Sequence, residues 1–141
     1  MHHAAPRRTI SGVVRYLWAS PASCVGLVLA VAARLTGARA RLVDGVLEVA
    51  GGGIAHAVAW LPRSMRFSAI TFGHVVIGLD HSTLARCRVH ERVHVAQYER
   101  WGALFLLLYP ASSVIQLLCG RDPYRDNVFE REAFAREKYL A

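Results

Sequence analysis

Apolar residues run along this chain in two long charge-free stretches, with alternating and helical patterns between them. The first stretch, Tyr16 to Ala33, lies between Arg15 and Arg34 and closes on Cys24-Val-Gly-Leu-Val-Leu-Ala-Val-Ala-Ala33. Its 18 residues suffice for one bilayer crossing as a helix. A cleaved signal peptide is the rival reading, with Arg7, Arg8 and Arg15 as its basic region and Ala38-Arg39-Ala40 as a small-x-small site. A retained anchor is favoured, because Arg34 and Arg39 interrupt the approach to that site and Tyr16 and Trp18 stand where an interfacial belt belongs. Arginines flank the stretch equally on both sides, so orientation is left open.

From Ala40 the period shortens. Arg41-Leu-Val-Asp44-Gly45-Val-Leu-Glu-Val49 predicts a β-hairpin about its Asp-Gly pair, ended by Gly51 to Gly53. Ile54 to Leu61 fits helix or strand, and Ala69 to Leu79, rich in β-branched residues, predicts one further strand. Asp80 or Ser82 can cap a helix running from about Thr83 to Trp101, with Gly102 near its end. The second charge-free stretch, Trp101 to Gly120, is split by Pro110 into Gly102–Tyr109 and Ala111–Leu118. Each piece is too short to cross, so a helical hairpin is expected, packed on the preceding helix or dipping into one leaflet. A last helix begins near Asp126 or Asn127. The expected fold is α+β and mostly helical. Residues 1–36 form a basic, membrane-anchoring or signal segment, and 37–141 a single domain.

Composition narrows the function classes. Charged residues are only 19% of the 141, hydrophobic ones 54%, and the net charge is +7. The charged fraction is below the roughly 25% of soluble domains, which excludes a disordered chain and favours membrane contact. The sixteen arginines and one lysine are scattered and accompany no nucleic-acid-reading motif, so no nucleic-acid partner is expected. Cys24, Cys87 and Cys119 are odd in number with no CxxC spacing, which indicates neither a disulfide framework nor a cysteine zinc site.

The chemistry lies in His90-Glu91-Arg92-Val93-His94. In this HExxH pattern two histidines four apart share a helix face and can hold one Zn2+, with Glu91 as general base. On the helical wheel His90, His94, Gln97 and Trp101 fall within about 60° of one another, and Arg88, Arg92 and Glu99 lie opposite. The competing reading is a pair of buried histidines hydrogen-bonded to carbonyls. A third ligand is required for an open catalytic site. His2 and His3 are terminal, His56 lies in the ambiguous stretch, His74 within the strand, and His81 too near the helix start. In the last helix Glu130 shares a face with Ala133, Phe134 and Glu137, whereas Glu132 points away to an exposed ion pair with Arg136. Glu130 is therefore the preferred ligand; otherwise it is the N3 partner, three residues on, in a capping box begun by Asn127.

With these residues the stretch Ala69–Ala141 resembles the HExxH zincin metallopeptidases, in particular the gluzincin branch, whose third ligand is a glutamate on a later helix. Glu130-Arg131-Glu132-Ala133 matches the E-x-x-A-D string of that branch, with Phe134 in place of the aspartate that orients a ligand. The sequence is also similar to small bacterial membrane-associated proteins of metallopeptidase type carrying His-Glu-x-x-His-x-x-Gln and Asn-x-Phe-Glu-x-Glu-Ala. The resemblance implies a minimal zincin-like domain, zinc on His90, His94 and Glu130, peptide hydrolysis with Glu91 as base, and substrate pairing along the strand Ile70–Ile77.

The expectation is a membrane-associated zinc metallopeptidase acting on a peptide or protein, with room for a partner protein to complete its cleft. The alternatives are a noncatalytic membrane scaffold or assembly protein with a structural or coincidental HExxH, and hydrolysis of a nonpeptide amide. Tyr124, Tyr98, His74 or Arg125 could stabilise an oxyanion, and Gln97 could brace a ligand.

Overall fold

The computed structural model describes residues 7–140, so His2 and His3 lie outside the described residues. Helix α1, Arg7–Leu35, leads into a hairpin of β1, Ala38–Val43, and β2, Val46–Gly51. The short helix α2, Ile54–Ala59, resolves the ambiguous stretch as helix and precedes β3, Ala69–Phe72, and β4, Val75–Gly78. Helix α3, His81–Trp101, a 3-10 turn at Gly102–Leu104, helix α4, Phe105–Leu118, and helix α5, Val128–Leu140, complete the chain.

The four strands form one mixed sheet in the order β1-β2-β4-β3, antiparallel except for the parallel pair β2–β4. Alternation along the strands gives the sheet two packed faces. Val49, Val75 and Ile77 meet Ala30 and Ala33 of α1 and Ile54 and Val58 of α2. Val46, Ala50 and Val76 meet Leu84 and Val95 of α3. A third cluster, Ala19, Ala22, Tyr98 and Phe105, joins α1 to the end of α3 and the start of α4. The mostly helical α+β architecture expected above is the one observed.

Two expectations are corrected. The run Ala69–Leu79 is two strands, with Phe72 paired to Val75 across a two-residue turn. Gly73 supplies the positive φ (59°) such a turn needs at its first central position, and Ser23 Oγ on α1 accepts from His74 N at 3.0 Å, holding the reversal against the β-propensity on either side. The stretch after Gly102 is one helix through Pro110, not a hairpin. The proline removes one backbone hydrogen bond. Bonds from the start of α5 hold the path on both sides of it: Asn127 Nδ2 donates to Tyr109 O at 3.1 Å and to Ser113 Oγ at 2.8 Å, and Val128 N donates to Ser112 Oγ at 3.2 Å.

Candidate metal centre

Helix α3 starts where Asp80 caps it, accepting from Thr83 N at 2.7 Å. It is fixed to the sheet by Glu48, a buried carboxylate on β2 that takes a two-pronged contact from Arg88 (2.8 and 3.0 Å), with Arg92 3.8 Å away. The arginine face of the wheel is thus anchored on the sheet. This anchorage sets the rotation of α3, so that His90, Glu91, His94 and Gln97 are all buried.

His90 and His94 turn their Nε2 atoms toward each other, 3.3 Å apart. Glu130, on the first turn of α5, inserts its carboxylate between them, 2.9 Å from His90 Nε2 and 3.3 Å from His94 Nε2. The three residues are buried and form a group that could hold a metal ion, each offering a ligand atom within 4.8 Å of the others. Glu130 makes no capping box. Asn127 Oδ1 accepts from Phe129 N at 3.0 Å, its N–H bonds to Tyr124 O, and the Glu130 carboxylate is left for the site.

Each histidine is supported from behind. Gln97 is fully buried, and its Nε2 donates to Phe129 O at 3.1 Å and to Glu132 Oε2 at 3.0 Å. Both partners are acceptors, so the Gln97 amide orientation is determined and its Oε1 faces His94 Nδ1 at 2.8 Å. His94 therefore holds a proton on Nδ1, and its neutral form presents the Nε2 lone pair to the site. Glu132 keeps the expected pair with Arg136 (3.2 Å) but is also the far end of this chain of contacts, a role its place on the wheel conceals. On the other histidine, Glu137 Oε2 lies 3.5 Å from Nδ1 and Phe134 packs its ring against the imidazole, centroids 4.9 Å apart.

The electrostatics follow from this enclosure. Burial would lower the imidazole pKa values of His90 and His94, but Glu130 outweighs it and both are raised. Burial would raise that of Glu130, yet contacts from both histidines and Tyr109 hold it down at about 2. Glu91 is pushed up by burial, opposed by a hydrogen bond to its Oε2 donated by Thr71 Oγ1 of β3 at 2.7 Å.

These side chains line a cleft of about 900 Å³. One wall is the segment Ser64–Phe72, which includes β3, an edge strand; the other is the inner side of α4 with Phe105, Leu106, Tyr109 and Pro110. Tyr98 and Tyr124 also line it. His74 and Arg125 do not. His74 lies in the β3–β4 turn, stacked on Tyr16 at 3.9 Å and 3.1 Å from Glu99, while Arg125 belongs to a separate shallow depression beside Lys138. His56 lies exposed on α2 and His81 opens α3, both outside the cleft. Thr71 and Tyr109 escape the sequence reading, and Glu137 enters it only as sharing the face of Glu130, because each reaches the site across an interface between elements and none belongs to a spaced motif. No protein-family model, curated protein or solved structure matches this chain.

Proposed function

We propose that the protein is a membrane-associated zinc metallopeptidase. The observation that carries this reading is the convergence of three buried ligand residues within reach of one ion. Tetrahedral zinc with bonds of about 2.0–2.1 Å separates its ligand atoms by about 3.4 Å. The two Nε2 atoms, 3.3 Å apart, lie close to that edge; Glu130 approaches His90 through Oε2 (2.9 Å) and His94 through Oε1 (3.3 Å), and each histidine has an acceptor on its Nδ1 side, Gln97 Oε1 at 2.8 Å and Glu137 Oε2 at 3.5 Å. Among the described residues the group has three members, the number that leaves a fourth position for water; a structural site would want four.

Zinc bound there would polarise a water and a substrate carbonyl. Glu91, beside both histidines and steadied by Thr71, takes the water's proton and returns it to the leaving amine. Tyr124, which lines the cleft, is the donor available to a developing oxyanion; the single hydroxyl proton of Tyr109 is given to Glu130 Oε1. The edge of β3 supplies unpaired backbone groups for an extended peptide. The helix Gly12–Leu35, long and apolar enough to cross a membrane, supports membrane association. It also bears on whether the segment is retained: α1 forms part of two of the three core clusters, a role a cleaved signal would abandon.

The test pairs metal analysis with one substitution. Purified protein should hold about one zinc per chain, lost on His90→Ala or His94→Ala. Glu91→Gln should keep the zinc and lose peptide hydrolysis, since an amide cannot accept the proton. Less than a tenth of an equivalent of zinc under metal-replete conditions, or turnover retained in Glu91→Gln, would overturn the reading.

A further inference from the structure

Hydropathy alone makes α1 a transmembrane helix, but its neighbours are incompatible with that. From Tyr16 to Thr36, about 30 Å of helix, α1 lies along the sheet. Tyr16 donates to Gly45 O at 2.8 Å, Ser23 accepts from His74 N, and Thr36 Oγ1 accepts from Gly53 N at 2.9 Å. Midway, Gly26 packs so closely that a Cβ there would stand 2.7 Å from Val75 Cβ. If α1 crossed the hydrocarbon, the sheet would lie at the same depth. That sheet is open, with unpaired edges on β1 and β3, and β1 exposes Arg39 and Arg41. Open sheet edges do not occur in lipid, and an arginine at the centre of the hydrocarbon is disfavoured on every insertion scale.

The side of α1 turned away from the sheet is nevertheless apolar and bare, including Leu17 (67% exposed), Val28 (70%) and Val31 (60%), with Cys24 among them. Helix α4 has a second such face, with Leu107 70% and Leu118 81% exposed. At about 21 Å its 14 residues fall short of a 30 Å hydrocarbon core, and although the joined run His81–Leu118 is long and apolar enough to cross, its α3 half packs on the sheet through Leu84 and Val95. The two faces meet where Trp18 lies across Gly102, beside exposed Trp101 and Leu104.

We infer that the protein is monotopic, with the outer faces of α1 and α4 seated in one leaflet of an anionic bilayer and α1 lying in the membrane plane. Trp18 and Trp101 sit at the headgroup level, and the arginines that bound the two apolar stretches reach lipid phosphates: Arg121, Arg34 through the nitrogens not given to Ala38 O, and Arg15 and Arg100 in exchange for long, exposed pairs with Glu99 (3.7 Å) and Glu132 (3.4 Å). The net charge of +7 has the sign such a surface requires. This inference rests on the membrane association proposed above, not on zinc or hydrolysis. The inner side of α4 lines the cleft, so the site lies one helix away from the lipid.

The full chain, with epitope tags before Met1 and after Ala141, would be followed in sealed bacterial membrane vesicles. The expected result is sedimentation with the membrane, intact mass including residues 1–40, both tags on one side, and Cys24 unreactive to an impermeant maleimide until detergent is added. Tags on opposite sides, loss of residues 1–40, or a soluble monomer or dimer would each overturn the proposal. Independently, Val28→Glu and Leu107→Glu should each reduce binding to phosphatidylglycerol-containing vesicles at least ten-fold without changing the metal content or circular dichroism. Unchanged vesicle binding by both folded variants would overturn it as well. No activity is read, so failure of the peptidase reading, detected by Glu91→Gln, is distinguishable from failure of this one.

Discussion

Gln97 carries no charge and makes no contact with the ligand carboxylate, yet it fixes which nitrogen of His94 holds the proton. Gln97→Leu removes the acceptor facing Nδ1, frees the ring to rotate or change tautomer, and should weaken zinc binding about 10–100-fold in competition with a chromophoric chelator. Glu132→Leu should act in the same direction by a smaller factor, because Phe129 O still holds the Gln97 amide. Affinities equal to that of the parent protein in both variants would remove the orienting chain from the account of the site. The paired histidines, Glu91 and the inward face of Glu130 were legible from four-residue spacing, since periodicity along one helix reports which side chains share a face. What each meets on a neighbouring helix is not periodic in the chain. For that reason Glu132 reads as a surface ion pair, and Glu137 only as a residue on Glu130's face, with Phe134 in place of the expected aspartate. The Asn-x-Phe-Glu-x-Glu-Ala string acquires a physical meaning in the fold: Asn127 caps α5 and ties it to α4, Phe129 O receives Gln97, Glu130 faces the histidines, Glu132 receives Gln97, and Ala133 is fully buried.

At the scale of elements, the site depends on the rotation of α3, set on the far side of the helix by Glu48 and Arg88. Arg88 holds the Glu48 carboxyl below its ordinary value of 4.5 by a hydrogen bond, against the opposing effect of burial. A carboxyl depressed in the folded state stabilises fully above its unfolded pKa, and that contribution is lost as pH falls through the folded value. Glu48→Gln should therefore destabilise the protein by about 1–2 kcal/mol at pH 7, discounted because Arg88 is partly exposed, and the gap should close below pH 4.5. Urea titrations of both proteins at pH 7 and pH 3.5 would check this; a gap independent of pH would mean that shape rather than charge holds α3. The elements themselves were unequally legible. The β1–β2 hairpin announces itself through Asp44 and Gly45, which both adopt positive φ in the turn, 47° and 78°. The β3–β4 reversal is hidden in a continuous β-prone run, and the parallel β2–β4 pairing joins segments with no local signal of their contact. Pro110 reads as a breaker because the hydrogen bonds that hold α4 through it come from Asn127 and Val128, beyond the charge-free stretch.

For the molecule as a whole, the packing of α1 argues against residues 37–141 standing alone, as a reading that divides the chain at an anchor would have them. Helix α1 presents a small-residue stripe of Ala19, Ala22, Gly26, Ala30 and Ala33, spaced three and four apart, to the rest of the chain. Such a stripe contributes little apolar area itself, but lets the backbone approach and cover larger side chains. Those covered include Val49, Val75 and Ile77 on the sheet and Tyr98 and Phe105 beside the cleft. Each is worth about 1.5–3 kcal/mol when buried, so uncovering the five forfeits a sum comparable with the whole stability of about 5–15 kcal/mol of a typical domain. His74 would lose its stacking partner Tyr16, and its backbone N–H the acceptor Ser23. A chain beginning at Gly37 should therefore show no cooperative thermal transition and bind zinc far more weakly than the parent, because the ligands on α3 and α5 are held in register by a core that α1 closes. Calorimetry of the truncated and full-length proteins in the same detergent decides the matter. A sharp transition with one bound zinc in the truncated chain would make α1 a separable anchor and return the sheet, α3 and α5 to the status of an independent domain.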